Sequence, residues 1–388
     1  MVDMPFTQHV ETFRISAPLD VAICIPVRDE AERLDACLAA VEEASLECAS
    51  DHVGVVLVVN NSVDHSAAIA RAWAQRTLRP AVICEVELPV GSANVAYARA
   101  LSFDLAMEIA APDAVLLATD GDTRVESGWA RHLVAAIRQG GAMAAGAIVA
   151  DPMELAGLPP QVRATGALEA DLKAVYRAIW QRIVPGAPCI PLITAGGASM
   201  AISSAAYRDI GGLPTTSLNE DRAMVSTMLR AGRMVVSAPE AVAVTSCRLD
   251  ARASAGMAEA LLERCRSVDP RLDEALPDLE HFGTLALAYG VLSGQFRRIV
   301  NPGGVAGRLG IPAAMLRPTS SPSELLSRFT AVMEAAPRRN GLTRSRGEQE
   351  LRAARRWLDE AALPEKRIFR HQTAAAALCT GGRALCPT

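Results

Sequence analysis

An α/β fold is expected, with a mostly parallel sheet flanked by helices and an all-helical C-terminal extension. Three observations predict it. Short apolar runs rich in Val and Ile recur, and each is followed by a stretch of helical periodicity. Those runs are continuously apolar rather than alternating, the pattern of strands covered on both faces. Beyond about residue 254 the strand-like runs stop and only helical patterns follow. At 388 residues the chain exceeds one small core, so an α/β domain over 15–253 and a helical extension over 254–388 are expected.

Residues 20–27, DVAICIPV, make the first strand. Asp29, with Glu32 three residues on, reads as a capping box opening a helix that carries Leu34, Leu38 and Val41. The unit repeats: VGVVLVVN (53–60) leads through Asn61, Ser62 and Asp64 into a helix with Ile69 and Trp73. AVICEVE is a third strand, followed by a helix from about Ser92 to Ile109. A strand from Asp113 to Thr119 runs into Asp120-Gly121-Asp122, and a helix opens near Ser127 with Trp129, Leu133 and Ile137 on one face and Gly140 at its end. Residues 159–184 read as one long helix, with Tyr176 and Trp180 at core spacing. ITAGGASMAIS is a Gly-rich turn into a strand, Asn219-Glu220-Asp221 starts a helix, and MVVSAP and AVAVTS are the last two short strands. In the extension, Ser321-Pro322-Ser323-Glu324 is a second capping box, and Leu325, Phe329 and Val332 form the apolar stripe behind it.

Half of the residues are hydrophobic and 21% are charged, as in a soluble globular protein. A net charge of -4 supplies no basic field, which argues against a nucleic-acid partner. The first residues lack the basic-then-apolar order of a signal peptide, and no apolar run is long enough to span a bilayer. Peripheral membrane contact stays open, and the oligomeric state is not indicated. Nine cysteines include no Cys-x-x-Cys pair, so neither a zinc nor a redox motif is indicated, and a reducing, cytoplasmic location is expected.

Ligands of parallel α/β sheets bind beyond the carboxyl ends of the strands. Pro26 to Glu30, Asn60 to Asp64 and Asp120 to Asp122 all lie at such ends and should converge on one crevice. Two carboxylates one residue apart, on a rigid strand end with a glycine between them, suit a divalent cation whose shell is completed by substrate phosphates. A solvated turn uses the same residue types. Glu220 and Asp221 fall in a first helical turn, where the dipole favours ionised acids whether or not they do chemistry.

Taken in order, VAICIPVRDEAERL, VVLVVNNSVDHS, ATDGDTRV and NEDRAM resemble the motifs of the family 2 glycosyltransferases of the GT-A fold, and the resemblance spans roughly residues 20–250. It implies a nucleotide-diphospho-sugar donor, with Pro26, Arg28 and Glu30 lining base and ribose and Asn60 beside the base, where family members commonly carry Asp. Arg99 matches an arginine that approaches the nucleotide. Asp120 and Asp122 match the pair that binds Mn²⁺ or Mg²⁺ on the diphosphate, with Asp122 the direct ligand. Glu220-Asp221 matches the motif of the catalytic base, with Asp221 the base of an inverting transfer. Arg248 and Arg252, after the last strand, are expected to meet the diphosphate or an anionic acceptor. The Gly196-Gly197 turn and the long helix before it lie where relatives bind the acceptor. Two alternatives remain, a non-catalytic sugar-nucleotide scaffold and a nucleotidyltransferase of related fold, although the latter's Gly-rich loop after the first strand is missing. A dinucleotide oxidoreductase is excluded, because the turn after the first strand is Pro-Val-Arg-Asp-Glu rather than Gly-x-Gly-x-x-Gly.

Overall fold

The computed structural model describes residues 8–48, 50, 52–89, 91, 94–215, 220–250, 256–296, 300–336 and 341–362. In chain order the elements begin with β1 (Gln8–Phe13), β2 (Leu19–Val27), α1 (Leu34–Leu46), β3 (Val53–Asn60), α2 (Ser66–Arg76) and β4 (Ala81–Val86). Next come α3 (Val95–Ile109), β5 (Ala110–Ala118), β6 (Thr123–Val125), α4 (Trp129–Arg138), β7 (Met143–Ala150), α5 (Pro152–Ala156) and α6 (Pro160–Ile183). Then follow β8 (Met200–Ser203), α7 (Ser204–Asp209), α8 (Glu220–Arg230) and β9 (Val235–Thr245). The remaining helices are α9 (Met257–Arg266), α10 (Leu279–Leu292), α11 (Pro302–Leu309), α12 (Pro322–Ala335) and α13 (Arg344–Ala362).

The chain divides into two compact units, Met1–Gly157 with Thr194–Ala260, and Leu158–Ile193 with Leu261–Thr388. The segment 158–193, read from the sequence as part of a continuous 15–253 domain, thus packs with the C-terminal helices. Helical amphipathicity shows that a segment must bury one face but not against which partner.

One nine-stranded sheet builds the first unit, in the order β1-β4-β3-β2-β5-β8-β7-β9-β6. The expected parallel sheet is the stretch β4-β3-β2-β5. Beyond it the sheet is mixed: β8 pairs antiparallel with both β5 and β7, β9 runs parallel to β7, and β1 and β6 are antiparallel edges. The parallel strands are buried along their length, β3 at every position, because helices cover both faces. Ile23, Ile25, Leu57 and Leu117 meet Leu38, Trp129 and Leu133 in this core. Each such side chain contributes about 1.5–3 kcal/mol by leaving water.

Three local expectations change. Asp29 does not cap α1, which opens at Leu34 behind Arg33. The two short strands expected at 234–239 and 241–246 are one strand, β9, whose register against β7 shifts between Gly146 and Ala147. The shift skips Pro239, which has no N–H to give to the ladder. β1, β6 and β7 have no counterpart in the sequence reading; β1 is largely exposed and lacks an apolar pattern, and β6 is only three residues long.

In the second unit α10 is apolar all round and buried from Leu279 to Leu292. Tyr176 of α6 stacks on Phe282 with ring centroids 4.6 Å apart, and Trp180 packs edge-on against Tyr289 and Phe329. Both α6 aromatics are fully buried in this cluster, which makes them core. No helix among the described residues is long and apolar enough to cross a membrane.

Candidate active site

Because β2, β3 and β5 are parallel, their carboxyl ends share one edge of the sheet, and a cavity of about 400 Å³ opens there. Its size suits a small organic ligand. Pro26, Arg28, Glu30, Asn60, Arg99, Asp120, Asp122, Glu220, Asp221 and Arg248 all line it. Arg252 lies outside the described residues.

The β2–α1 loop is fixed by the loop after β3. Asp29 adopts a left-handed conformation, φ 51°, and its carboxylate accepts the Val63 N–H at 2.8 Å while its own N–H donates to Ser62. The Glu30 and Ala31 N–H groups donate to Ser66 Oγ and Asp64 Oδ2. This interlock is what takes Asp29 from the helix N-terminus, since a capping residue sits in the extended region instead. It also leaves the Glu30 side chain aimed into the cavity.

Glu30 gives both carboxylate oxygens to the Arg248 fork, at 2.5 and 2.6 Å, and Arg248 also lies 3.1 Å from Asp122. Glu30, expected to line base and ribose, thus faces the cavity with its carboxylate engaged by an arginine 218 residues away. Arg248 is in turn aimed by its loop, where the Cys247 N–H donates to Glu154 at 2.6 Å.

Arg99 comes from α3, the helix capped by Asn94, and is buried. One terminal nitrogen donates to Asp120 Oδ1 at 2.6 Å, and the other bonds Glu220. Each acid of the Asp120/Asp122 pair therefore has its own arginine. Even so, burial and the charge of Asp120 push the Asp122 carboxyl up to about 6, against the opposing pull of Arg248. Gly121, between the two acids, is closely packed: a Cβ there would sit 3.2 Å from Glu30 Cγ and 3.4 Å from the Pro26 carbonyl oxygen.

Asp221 is the second residue of α8, with one oxygen accepting the Arg222 N–H at 2.7 Å and the other the Gly197 N–H at 3.2 Å. Asn60, at the end of β3, is 2% exposed and its Nδ2 has no partner. Gly196 and Gly197 also line the cavity, as do Asn94 and Asp250, which the sequence reading passed over. Asn94 was open to discovery as a helix cap preceding an apolar run. Asp250 carries no local signal; only the path of the chain after β9 brings it here.

Among the described residues no group of three or more His, Cys, Asp or Glu could hold a metal ion. A complete protein cage is absent from them, whereas a cation held by one or two carboxylates and completed by ligand phosphates matches Asp120 and Asp122.

Residues 22–202 match the family model described as glycosyl transferase family 2. Among solved structures, the mannosyltransferase PcManGT from Pyrobaculum calidifontis, in complex with GDP-Man and Mn²⁺, is 17% identical, with 97% of this chain and 90% of that chain covered and a TM-score of 0.40. The S. aureus TarS 1-349 structure in complex with UDP-GlcNAc is 11% identical over 92% of this chain and 91% of that one, with a TM-score of 0.43. Among the curated proteins none matches the chain. The match to the glycosyl transferase family 2 model thus covers residues 22–202, a little under half of the chain, and the motifs within it lie on the strand ends that line the cavity.

Proposed function

We propose that the cavity binds a nucleotide-diphospho-sugar with a divalent cation and transfers the sugar, with inversion, to an acceptor hydroxyl deprotonated by Asp221. The observation that carries this reading is the meeting, in one cavity, of the Asp120/Asp122 pair, the buried and unpartnered Asn60 Nδ2 and the Asp221 carboxylate. Asn60 Nδ2 is a donor suited to an acceptor atom on a nucleobase, and leaving it unmet in a buried place costs about 1–3 kcal/mol.

Charge argues for the cation. Six carboxylates line the cavity against three guanidinium groups, among the described residues. An anionic diphosphate entering such a lining is repelled unless positive charge comes with it. Asp122 and Asp120 are the residues that would hold that charge, and a bound cation supplies stabilisation of the negative charge growing on the leaving diphosphate. Arg248, already beside Asp122, is placed to pair with the same phosphates.

Asp221 does the proton chemistry. Each of its oxygens accepts one backbone N–H, and each keeps a lone pair for the acceptor hydroxyl. As that hydroxyl loses its proton to Asp221, its oxygen bonds to the anomeric carbon, and the bond from that carbon to the diphosphate oxygen breaks with its electron pair leaving on the diphosphate. General-base assistance is worth about 10²–10⁴ in rate. Asp221→Asn should lower kcat by that factor and leave nucleotide affinity intact; unchanged turnover would remove Asp221 from the mechanism.

Calorimetric titration of UDP, GDP and dTDP with and without Mn²⁺, on wild type and Asp122→Ala, tests the donor site directly. Metal-dependent binding of one nucleotide, lost in Asp122→Ala, supports the reading. Binding without any transfer to sugar or lipid hydroxyl acceptors would favour a sugar-nucleotide scaffold, and no binding at all would end it.

A further inference from the structure

We infer that Arg99 is a positioning residue that ties the acid pair to the helix bearing the base, and does not contact the donor. The inference rests on the transferase reading of the same cavity.

Three observations meet at this guanidinium. Its terminal nitrogens bridge Asp120, at the end of β5, and Glu220, the first residue of α8. Its side chain is only 3% exposed, so both ion pairs are largely shielded from water on the arginine side. It also lies flat against Gly197, where a Cβ would overlap its terminal atoms, and the Gly197 N–H is one of the two donors that hold Asp221. Arg99 therefore reaches the base by two routes, through Glu220, which precedes Asp221 in the chain, and through Gly197, which holds its carboxylate. Through Asp120 it reaches the cation pair.

A stability role alone accounts poorly for this arrangement. Arg99 Nε is buried without a partner, and a buried charge with an unmet donor is a cost that well-packed apolar side chains of similar size avoid. What an apolar replacement lacks is the rigid fork, which sets two carboxylates at one separation. Lysine has a single ammonium on a flexible stem and holds one of the two. The geometry also assigns Glu220: its side chain is 9% exposed and engaged by Arg99, so it anchors α8 rather than sharing the proton transfer with Asp221.

The test compares wild type, Arg99→Lys, Arg99→Met and the double variant Arg99→Met/Glu220→Met, measuring kcat and donor KM, nucleotide affinity by calorimetry with Mn²⁺, and Tm. Arg99→Lys is expected to lower kcat about 10²-fold, the scale of a misplacement near 1 Å, with nucleotide affinity retained. Arg99→Met, which leaves Glu220 buried without its countercharge, is expected to lose Tm; the double variant recovers Tm and stays as slow as Arg99→Lys or slower. Recovery of kcat together with Tm would make Arg99 merely structural and overturn the inference. A fall in nucleotide affinity in Arg99→Lys that matches its loss of turnover would make Arg99 a donor contact, and overturn it as well. If wild type itself binds none of the nucleotides, the transferase reading falls first and the inference falls with it.

Discussion

Gly197 illustrates how much of the site depends on single atoms. The place of its missing Cβ is taken by the Arg99 guanidinium, and its N–H holds Asp221. Gly197→Ala should displace the arginine and lower turnover by about 10²-fold while the sheet stays folded, which steady-state kinetics and circular dichroism together would check. Unchanged kinetics would mean the guanidinium can move without consequence. Gly121 carries a related lesson. It does not occupy the left-handed region, and a Cβ there would press against Glu30 and the end of β2. The placement of Asp120, Asp122 and Asp221 at the cavity was legible because a parallel sheet gathers its strand ends at one edge. The partners of Glu30 and Arg99 were not legible, since Arg248 and Glu220 come from chain 218 and 121 residues away.

At the scale of elements, the two capping boxes read from the sequence separate cleanly. Ser321 caps α12, its hydroxyl accepting the Glu324 N–H with Pro322 at the first helical position. Asp29 has the same signature and does not cap, because Val63 of the neighbouring loop supplies the donor that its carboxylate takes. A cap is a local competition, and a tertiary donor wins it when the adjacent strand end delivers one. Packing of α4 depends on another such contact: Trp129, fully buried, donates from Nε1 to Ser199 Oγ at 2.9 Å, and Ser199 donates onward to the Ala241 carbonyl. Ser199→Ala should cost about 1–3 kcal/mol by leaving the indole N–H unmet, read as a lower urea midpoint at unchanged slope. No shift in the midpoint would show that water reaches the indole.

For the molecule as a whole, the division into two units makes different predictions for aromatics on α6 and for acids on the sheet edge. Trp180 is core to the second unit, so Trp180→Ala should destabilise that unit by about 3–5 kcal/mol while calorimetric nucleotide binding by the first unit persists. A raised acceptor KM with unchanged thermal unfolding would instead make Trp180 an acceptor contact. The alternation of apolar strands and amphipathic helices determined by itself that a parallel stretch exists and that its strand ends form a crevice, because a strand buried on both faces and a helix buried on one leave few ways to assemble. Only the tertiary structure decided that β7, β8 and β9 extend this into a mixed sheet, that α6 packs with the C-terminal helices, and which arginine answers which acid. Periodicity records how much of an element must be buried. The partner that buries it, or neutralises it, is chosen by contacts between residues far apart in the chain, and no local pattern encodes those.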